Sequence, residues 1–173
     1  MNQINENPCR QLLIMRHGKA NWEMKIDDLQ RPMTERGEQE ARNIGQWLKQ
    51  QPLLPDLILS STASRALATS QFVADIIGIP EIKQDPRIYN ASAGELLVVL
   101  SEIDIEYKRP MIVGHNPGFE DLLLHLAEVG ENFYKDGSLM TTGTVAVLNM
   151  PDEWQQLDRQ CAQLLDVIRG GNL

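Results

Sequence analysis

Residues 11–18 (QLLIMRHG) constrain the fold of this chain more than any other stretch. The apolar run Leu12–Met15 ends abruptly at Arg16, His17 and Gly18. A short apolar run with polar boundaries predicts a strand that is buried on both faces. Ligands bind at the carboxyl ends of strands in open α/β sheets, and a glycine there lets the backbone turn close to a ligand. This stretch favours Arg16 as a phosphate clamp and His17 as a nucleophile, although an ordinary strand end also fits it.

Two later stretches repeat this layout. Residues 56–61 (DLILSS) are an apolar run that turns polar and leads into a helix with Arg65 near its start. Residues 110–118 (PMIVGHNPG) end in a glycine followed by His115. Arg65 alone also fits a surface position. Because the carboxyl ends of parallel strands meet at one edge of a sheet, we expect these residues and Arg16–His17 to converge in one pocket.

Strand-like and helix-like segments alternate along the chain. This alternation predicts an α/β fold of three layers, α/β/α, with a mostly parallel central sheet. We expect one domain over residues 1–173, in which residues 1–10 are a loose polar leader. The predicted strands are 11–16, 56–61, 110–113 and 143–149, with a short edge strand within 80–90. The predicted helices are 34–50, 62–78, 92–103, 119–127 and a closing amphipathic helix over 152–168.

Two segments carry polar residues whose role the sequence leaves open. Residues 19–33 show no regular period and contain Pro32, which predicts a loop. Its charges, Asp28 among them, are most simply a solvated surface, but a loop after a strand end can also wall a pocket, so Arg31 is kept as a minor candidate. His125 lies among leucines of a predicted helix, which favours a structural or surface role.

Composition excludes several function classes. The 173 residues carry a net charge of −8, which argues against binding to nucleic acid or to an anionic membrane. The two cysteines, Cys9 and Cys161, lie far apart, so neither a disulfide framework nor a zinc motif is predicted. The polar N-terminus lacks the apolar core of a signal peptide, and no apolar run is long enough to span a membrane. We therefore expect a cytoplasmic protein.

The residue types at the predicted pocket suit a phosphoryl group. Arginine presents a planar fork of donors that matches phosphate oxygens and stays charged at any working pH. A neutral imidazole can attack phosphorus, and nearby arginines should keep His17 neutral by lowering its pKa. Phosphoryl transfer needs mainly alignment and neutralisation of charge, so two arginines and two imidazoles suffice without a metal or another cofactor.

The same residues resemble the histidine phosphatase superfamily, which has a phosphoglycerate-mutase-like fold. The resemblance rests on Arg16-His17-Gly18, on Arg65 within SxxSRAxxTS, and on Gly114-His115. Two further patterns are similar to the small SixA-type phosphohistidine phosphatases: residues 31–34 (RPMT) followed by Gly37, and the stretch GHNPGFEDLL. The resemblance covers residues 11 to 150.

The resemblance implies a role for each matching residue. His17 would accept the phosphoryl group, while Arg16, Arg65 and His115 would bind it in the transition state. Asn116 would offer a backbone N–H to a phosphate oxygen. Hydrolysis of the phosphoenzyme would follow by in-line attack of water.

The chain departs from the mutase branch of this family at two places. That branch has a carboxylate acid near the end of a middle strand, whereas residues 85–90 contain no glutamate, and it has asparagine where this chain has Glu23. Asp85 and Glu95 are possible substitutes that we leave unassigned. Because an alkoxide leaving group needs a proton, the missing acid favours phosphohistidine or an aryl phosphate over a sugar phosphate.

The leading hypothesis is a metal-independent phosphatase that acts on phosphohistidine in a protein. The short chain leaves no room for a large lid, and an open pocket suits a protein-borne substrate. One alternative is a small-molecule phosphomonoesterase of the same fold. A second is a phosphoprotein-binding module with little turnover, which would not need His17. A metal hydrolase that uses His17 and His115 is a weaker reading, because two histidines without carboxylates or cysteines are a poor ligand set.

Overall fold

The computed structural model describes residues 10–52, 54–79 and 81–173. These residues form a six-stranded sheet with helices on both faces. The strands are β1 (Gln11–Arg16), β2 (Leu57–Ser60), β3 (Ile82–Gln84), β4 (Pro110–Gly114), β5 (Thr144–Asn149) and β6 (Gln163–Arg169). The helices are α1 (Glu35–Gln50), α2 (Ser64–Ile77), α3 (Ala93–Ser101) and α4 (Gly118–Leu126), and short 3₁₀ turns connect some of the elements.

The sheet has the strand order β3-β2-β4-β1-β5-β6. Its first four strands are parallel, with Leu13 of β1 opposite Met111 of β4 and Ile58 of β2 opposite the same residue. β5 runs antiparallel to β1 and to β6. The prediction of a mostly parallel α/β/α architecture is confirmed. The carboxyl ends of β1, β2 and β4 lie side by side, which places the residues that follow them at one edge.

β1 contributes to the core on both sides of the sheet. Leu12 and Ile14 pack with α3 and α4, whereas Leu13 and Met15 pack with α1 and α2. All four side chains are fully buried, as the apolar run predicted. Alternation of side chains across the pleat explains why a strand between two helix layers needs apolar residues at every position.

Local signals at the helix ends agree with the structure. The Thr34 side chain accepts a hydrogen bond from Gly37 N and begins α1. Ser92 and Glu95 form a capping box at the start of α3. α2 ends at Gly78, whose φ of 84° is in the left-handed region that glycine adopts without strain. No helix within the described residues has both the length and the apolar character that crossing a bilayer requires.

The predicted closing helix over residues 152–168 is wrong. Residues 163–169 are strand β6, which pairs with β5 from Gln163 opposite Asn149 to Arg169 opposite Thr144. The apolar spacing resembled a helix, but pairing with the otherwise unpartnered edge of β5 overrides that local preference. The preceding segment packs on the end of α4, where His125 Nε2 lies 3.0 Å from the Leu157 carbonyl oxygen. The prediction that His125 is a structural or surface residue agrees with this half-buried position outside the cavity.

The prediction of a loose leader over residues 1–10 is wrong for Arg10. Residues 1–9, Cys9 included, lie outside the described residues. Arg10 is buried, and its guanidinium lies 3.9 Å from the centre of the Trp154 ring. It also donates to the carbonyl oxygens of Asp104 and Tyr107. Arg10 therefore belongs to the folded core, because its polar groups find backbone acceptors there.

The start of α1 packs directly against the chain that follows β1, and this contact predicts the effect of a single methyl group. A Cβ at Gly37 would lie 2.3 Å from the Lys19 carbonyl oxygen, a backbone atom that cannot rotate away. We expect Gly37→Ala to lower the free energy of unfolding by about 2 kcal/mol or more. Gly94→Ala, which also lies in the first turn of a helix but meets only Ser92 Oγ at 4.0 Å, is the matched control. Urea denaturation checks both, and equal stability of the two variants would contradict the tight contact.

Candidate active site

The strand ends at the carboxyl edge of the sheet are tied together by backbone hydrogen bonds. The amide of His17 donates to Gly114 O over 3.0 Å, and the amide of Ser61 donates to Val113 O over 2.9 Å. These bonds bring the residues after β1, β2 and β4 into register. A cavity of about 200 Å³ lies between these segments at this edge of the sheet.

The cavity brings together the five residues that the sequence predicts for catalysis and phosphate binding. His17, Arg65 and His115 are each more than nine-tenths buried. The five predicted residues that line the cavity are Arg16, His17, Arg65, His115 and Asn116. The remaining wall consists of Lys19, Ala20, Trp22, Asp28, Asn90 and Thr142.

The ring of His17 is held in one orientation by its neighbours. Nδ1 lies 2.7 Å from the Gly18 carbonyl oxygen, which can only accept, so Nδ1 carries the ring proton. Nε2 therefore holds the lone pair, and it accepts a hydrogen bond from Arg65 Nε over 3.3 Å. The nitrogen that can act as a nucleophile thus lies against the guanidinium that can bind a phosphoryl oxygen.

Burial keeps His17 neutral. The pKa of His17 is lowered to about 4, chiefly by burial and in part by the positive charges of Arg65 and Arg16, while the hydrogen bond to Gly18 opposes the shift. The neutral imidazole is the form that attacks phosphorus. The site therefore keeps its nucleophile ready across the physiological pH range.

His115 lies beside His17, with ring centroids 5.1 Å apart. Its Nε2 is 2.8 Å from Ser61 Oγ, and its Nδ1 is buried without a hydrogen-bond partner. The pKa of His115 is lowered to about 3, chiefly by burial and in part by the proximity of His17 and Arg65. An unpartnered polar atom is costly in a buried site, so a bound oxyanion that satisfied it would be favoured.

Arg16 and Asn116 share one anchor. Arg16 donates to the Met140 carbonyl oxygen over 2.8 Å, and Asn116 Nδ2 donates to the same oxygen over 2.9 Å. The Met140 amide in turn donates to a carboxylate oxygen of Glu120. Arg16 Nε and Asn116 Oδ1 remain buried without partners. The Met140 carbonyl oxygen therefore fixes both side chains.

Asp28 is a site residue that the sequence did not single out. Two groups of the Arg65 guanidinium donate to it, one to the Asp28 carbonyl oxygen over 2.6 Å and one to the carboxylate Oδ2 over 2.9 Å. The hydroxyl of Tyr89 donates to the same carboxylate oxygen over 2.8 Å. Both terminal nitrogens of Arg65 are thus held by Asp28, which leaves its Nε directed at His17. The expectation that the Asp28 charge belongs to a solvated surface is wrong.

The carboxylate of Asp28 is ionised. Burial alone would raise its pKa, but hydrogen bonds from Tyr89 and Arg65 outweigh burial and lower the pKa of Asp28 below its ordinary value. The sequence held only a weak signal for this contact, namely the position of Asp28 three residues before Arg31-Pro32 in a loop next to the candidate pocket.

Arg31, the minor candidate, contacts two residues of the cavity wall, namely Asp28 and Trp22, whose ring centre lies 4.5 Å from the Arg31 guanidinium. Its Nε lies 3.4 Å from Asp28 Oδ1, and its other contacts are within the loop, to the carbonyl oxygens of Asn21 and Met24. It does not line the cavity. Arg31 therefore holds the loop in shape.

The two carboxylates that were left unassigned also lie outside the cavity wall. Asp85 pairs with Arg87 and caps a 3₁₀ turn, and Glu95 closes the capping box of α3. Within the described residues, no three His, Cys, Asp or Glu side chains are grouped so that they could hold a metal ion. Among the residues that line the cavity, Asp28 supplies the carboxylate.

Comparison with known proteins identifies the family. Residues 12–116 match the model of the histidine phosphatase superfamily, branch 1. The chain belongs to this superfamily. An uncharacterized protein of Mycobacterium leprae is 30% identical over 158 residues, which cover 87% of this chain and 96% of that protein.

Solved structures place this phosphatase among the SixA-type members of the family. A protein of Agrobacterium tumefaciens, provisionally assigned as a phosphohistidine phosphatase SixA, is 31% identical, with a TM-score of 0.76 and coverage of 92% of this chain and 97% of that one. A protein of Nakamurella multipartitia with the same provisional assignment is 27% identical, with a TM-score of 0.78 and coverage of 92% and 95%. The predicted phosphoglycerate-mutase-like fold, the SixA-type resemblance and the phosphatase class are confirmed.

The burial of the two histidines predicts their titration. The ¹⁵N resonances of the His17 ring should titrate with a midpoint near 4, well below the ordinary value of 6.5. The unfolded chain binds protons at these rings that the folded protein does not, so the free energy of unfolding should decrease as the pH falls from about 6.5 towards 4. A midpoint near 6.5 for His17 in an NMR titration would contradict the buried, neutral ring.

The clamp on Arg65 predicts the effect of Asp28→Asn. Loss of the carboxylate should loosen the guanidinium and lower kcat by roughly 10- to 100-fold, because transition-state charge is stabilised only by groups held in place. Glu23→Gln removes an acidic side chain from the same loop and is the control, with kcat expected within about twofold of wild type. Steady-state turnover of an aryl phosphate measures both, and an unchanged kcat in Asp28→Asn would show that Arg65 needs no such support.

Proposed function

We propose that this chain hydrolyses phosphohistidine carried on a protein, through a phosphohistidine intermediate at Nε2 of His17. The observation that carries the proposal is the buried, neutral ring whose free nitrogen accepts a hydrogen bond from Arg65. A module that only binds phosphate has no need of such a nucleophile. The relatives assigned as phosphohistidine phosphatases support the choice of substrate.

In the first step Arg65 Nε gives up its hydrogen bond to His17 Nε2, and the freed lone pair attacks the phosphorus of the substrate. The new N–P bond forms as the substrate's own N–P bond breaks, and that electron pair returns to the leaving imidazole. A proton on the distal nitrogen of that imidazole makes it a good leaving group. Arg16, Arg65 and His115 bind the equatorial oxygens, so the developing charge meets donors that are already in position. The backbone N–H of Asn116 is proposed as a further donor.

In the second step water attacks the phosphoryl group in line with His17. The O–P bond forms, the P–Nε2 bond breaks, and its electron pair restores the neutral ring. The proton of the water leaves with inorganic phosphate or to solvent. The hydrogen bond from Nδ1 to Gly18 keeps the ring in the same orientation through both steps.

The carboxylates explain the preference for a nitrogen leaving group. Asp28 is ionised and already accepts from Arg65 and Tyr89, so it has no proton to give an alkoxide. Phosphohistidine needs no such donor, because its leaving group is protonated in advance. An aryl phosphate, whose phenolate leaves without a proton, is the expected second substrate, and a sugar phosphate the poorest one.

The remaining parts of the proposal concern the protein as a whole. We propose that residues 1–173 act as one histidine phosphatase domain, without a metal or cofactor, in the cytoplasm. The partner is a phosphorylated protein. The net charge of −8 supports the expectation that neither nucleic acid nor an anionic membrane is the partner.

Turnover measurements with three substrates test the function. Wild type should dephosphorylate a histidine-phosphorylated phosphotransfer protein with EDTA present, hydrolyse p-nitrophenyl phosphate more slowly, and leave glucose 6-phosphate nearly untouched. His17→Ala should lose all of this activity, with a decrease of at least about 10³-fold in kcat. His125→Ala, which removes a histidine outside the site, is the matched control. Faster turnover of the sugar phosphate would favour a small-molecule phosphomonoesterase, and binding of the phosphoprotein without turnover would favour a recognition module.

A further inference from the structure

Residues 21–32 form a closed loop beside the candidate active site, termed the pocket loop below. A bridge between Ala20 and Met33 closes its base, and the Asn21 amide donates to Pro32 O over 2.9 Å. Arg31 holds its inside together through the carbonyl oxygens of Asn21 and Met24. Compact loops of this kind, closed at the base and packed by their own side chains, are frequently functional.

The pocket loop exposes an unusual share of large apolar side chains. Four of the eleven exposed large hydrophobic residues within the described part of the chain lie in it. They are Trp22 (65% exposed), Met24 (44%), Ile26 (36%) and Leu29 (38%). Single exposed apolar residues are ordinary, but a concentration of them marks an interaction site.

The position of the loop indicates what covers these side chains. Trp22 and Asp28 of the pocket loop line the same cavity as His17. Any molecule whose phosphoryl group reaches His17 therefore passes the pocket loop. A small sugar phosphate gains little from apolar side chains outside the cavity, whereas a folded protein that presents a phosphorylated side chain covers them.

Charge on the pocket loop contributes little to the binding of such a partner. The exposed charged side chains of the pocket loop are of both signs, with Glu23 and Asp27 acidic and Lys25 basic. The affinity of the pocket loop for a protein partner must therefore come mainly from apolar contact, in which a central aromatic residue typically contributes most.

We propose that the pocket loop is the docking surface for the phosphoprotein substrate, and that the partner surrounds its phosphohistidine with apolar side chains. This inference rests on the proposed function. Docking lowers the KM for the protein substrate and leaves the chemistry at His17 unchanged. A small phosphoramidate is too small to contact the apolar side chains outside the cavity, so its turnover does not depend on docking.

A paired substitution tests the docking surface without touching the cavity wall. Met24→Ser/Ile26→Ser should raise KM for the histidine-phosphorylated phosphotransfer protein roughly tenfold at unchanged kcat. For phosphoramidate, kcat/KM should stay within about twofold of wild type. Val98→Ser/Ile105→Ser, which removes two exposed apolar residues away from the cavity, is the matched control and should leave both substrates unaffected.

Three results would overturn the docking surface. The first is an unchanged KM for the phosphoprotein in the paired variant, and the second is an equal loss of kcat/KM on both substrates. The third is a wild-type dimer that the paired substitution turns into a monomer in light scattering, which would assign the loop to contact with a second copy of the chain. Failure of the proposed function is a separate result. In that case the wild-type protein would not dephosphorylate the phosphoprotein at all. Docking could still be measured as binding of the phosphoprotein to His17→Ala, and the paired substitution should weaken that binding.

Discussion

The placement of a neutral imidazole among fixed positive charges is the constraint on which the rest of the structure depends. His17 must be buried to stay neutral, and its lone pair must face the incoming phosphoryl group. Burial requires a strand that can end deep in the sheet, which the fully apolar β1 provides. Orientation requires an acceptor for Nδ1, which the Gly18 carbonyl supplies at 2.7 Å. The tight packing of Gly18 against Gly37 then fixes that carbonyl.

Arg65 illustrates how such a site is held before substrate arrives. Its terminal nitrogens are bound by Asp28, whose carboxylate is in turn held by Tyr89, with Arg31 close to the other oxygen. A guanidinium fixed in this way has to give up only its Nε hydrogen bond to His17 when the phosphoryl group enters, and preorganised charge is the larger part of catalysis in phosphoryl transfer. The same ionised carboxylate supplies no proton, which restricts the leaving groups the site can handle. Asp28 thereby both positions Arg65 and limits the substrates that the site can hydrolyse.

Much of this arrangement could be predicted from the sequence, because the strongest signals are local. A four-residue apolar run, a polar tripeptide at its end and two repeats of that layout predict parallel strands whose ends meet, and the structure places all five candidate residues in one cavity. Asp28 could not be predicted in the same way. Its partner Arg65 lies 37 residues away, and nothing in the loop sequence distinguishes a carboxylate that faces a guanidinium from one that faces solvent. Strand β6 could not be predicted for a similar reason. Its apolar residues recur at helical intervals, and its pairing with β5 is a contact between segments that are distant in the sequence.

The most direct test of the account is to trap the phosphoenzyme. Wild type mixed with the phosphorylated protein and quenched in base within milliseconds should carry one acid-labile phosphoryl group, which mass spectrometry places on His17. ³¹P NMR of the trapped protein should show the Nε2 isomer, since Nδ1 is occupied by the Gly18 carbonyl. Phosphate on another residue, or on Nδ1, would contradict the account. So would rapid turnover without any phosphorylated enzyme at a quench time shorter than one catalytic cycle.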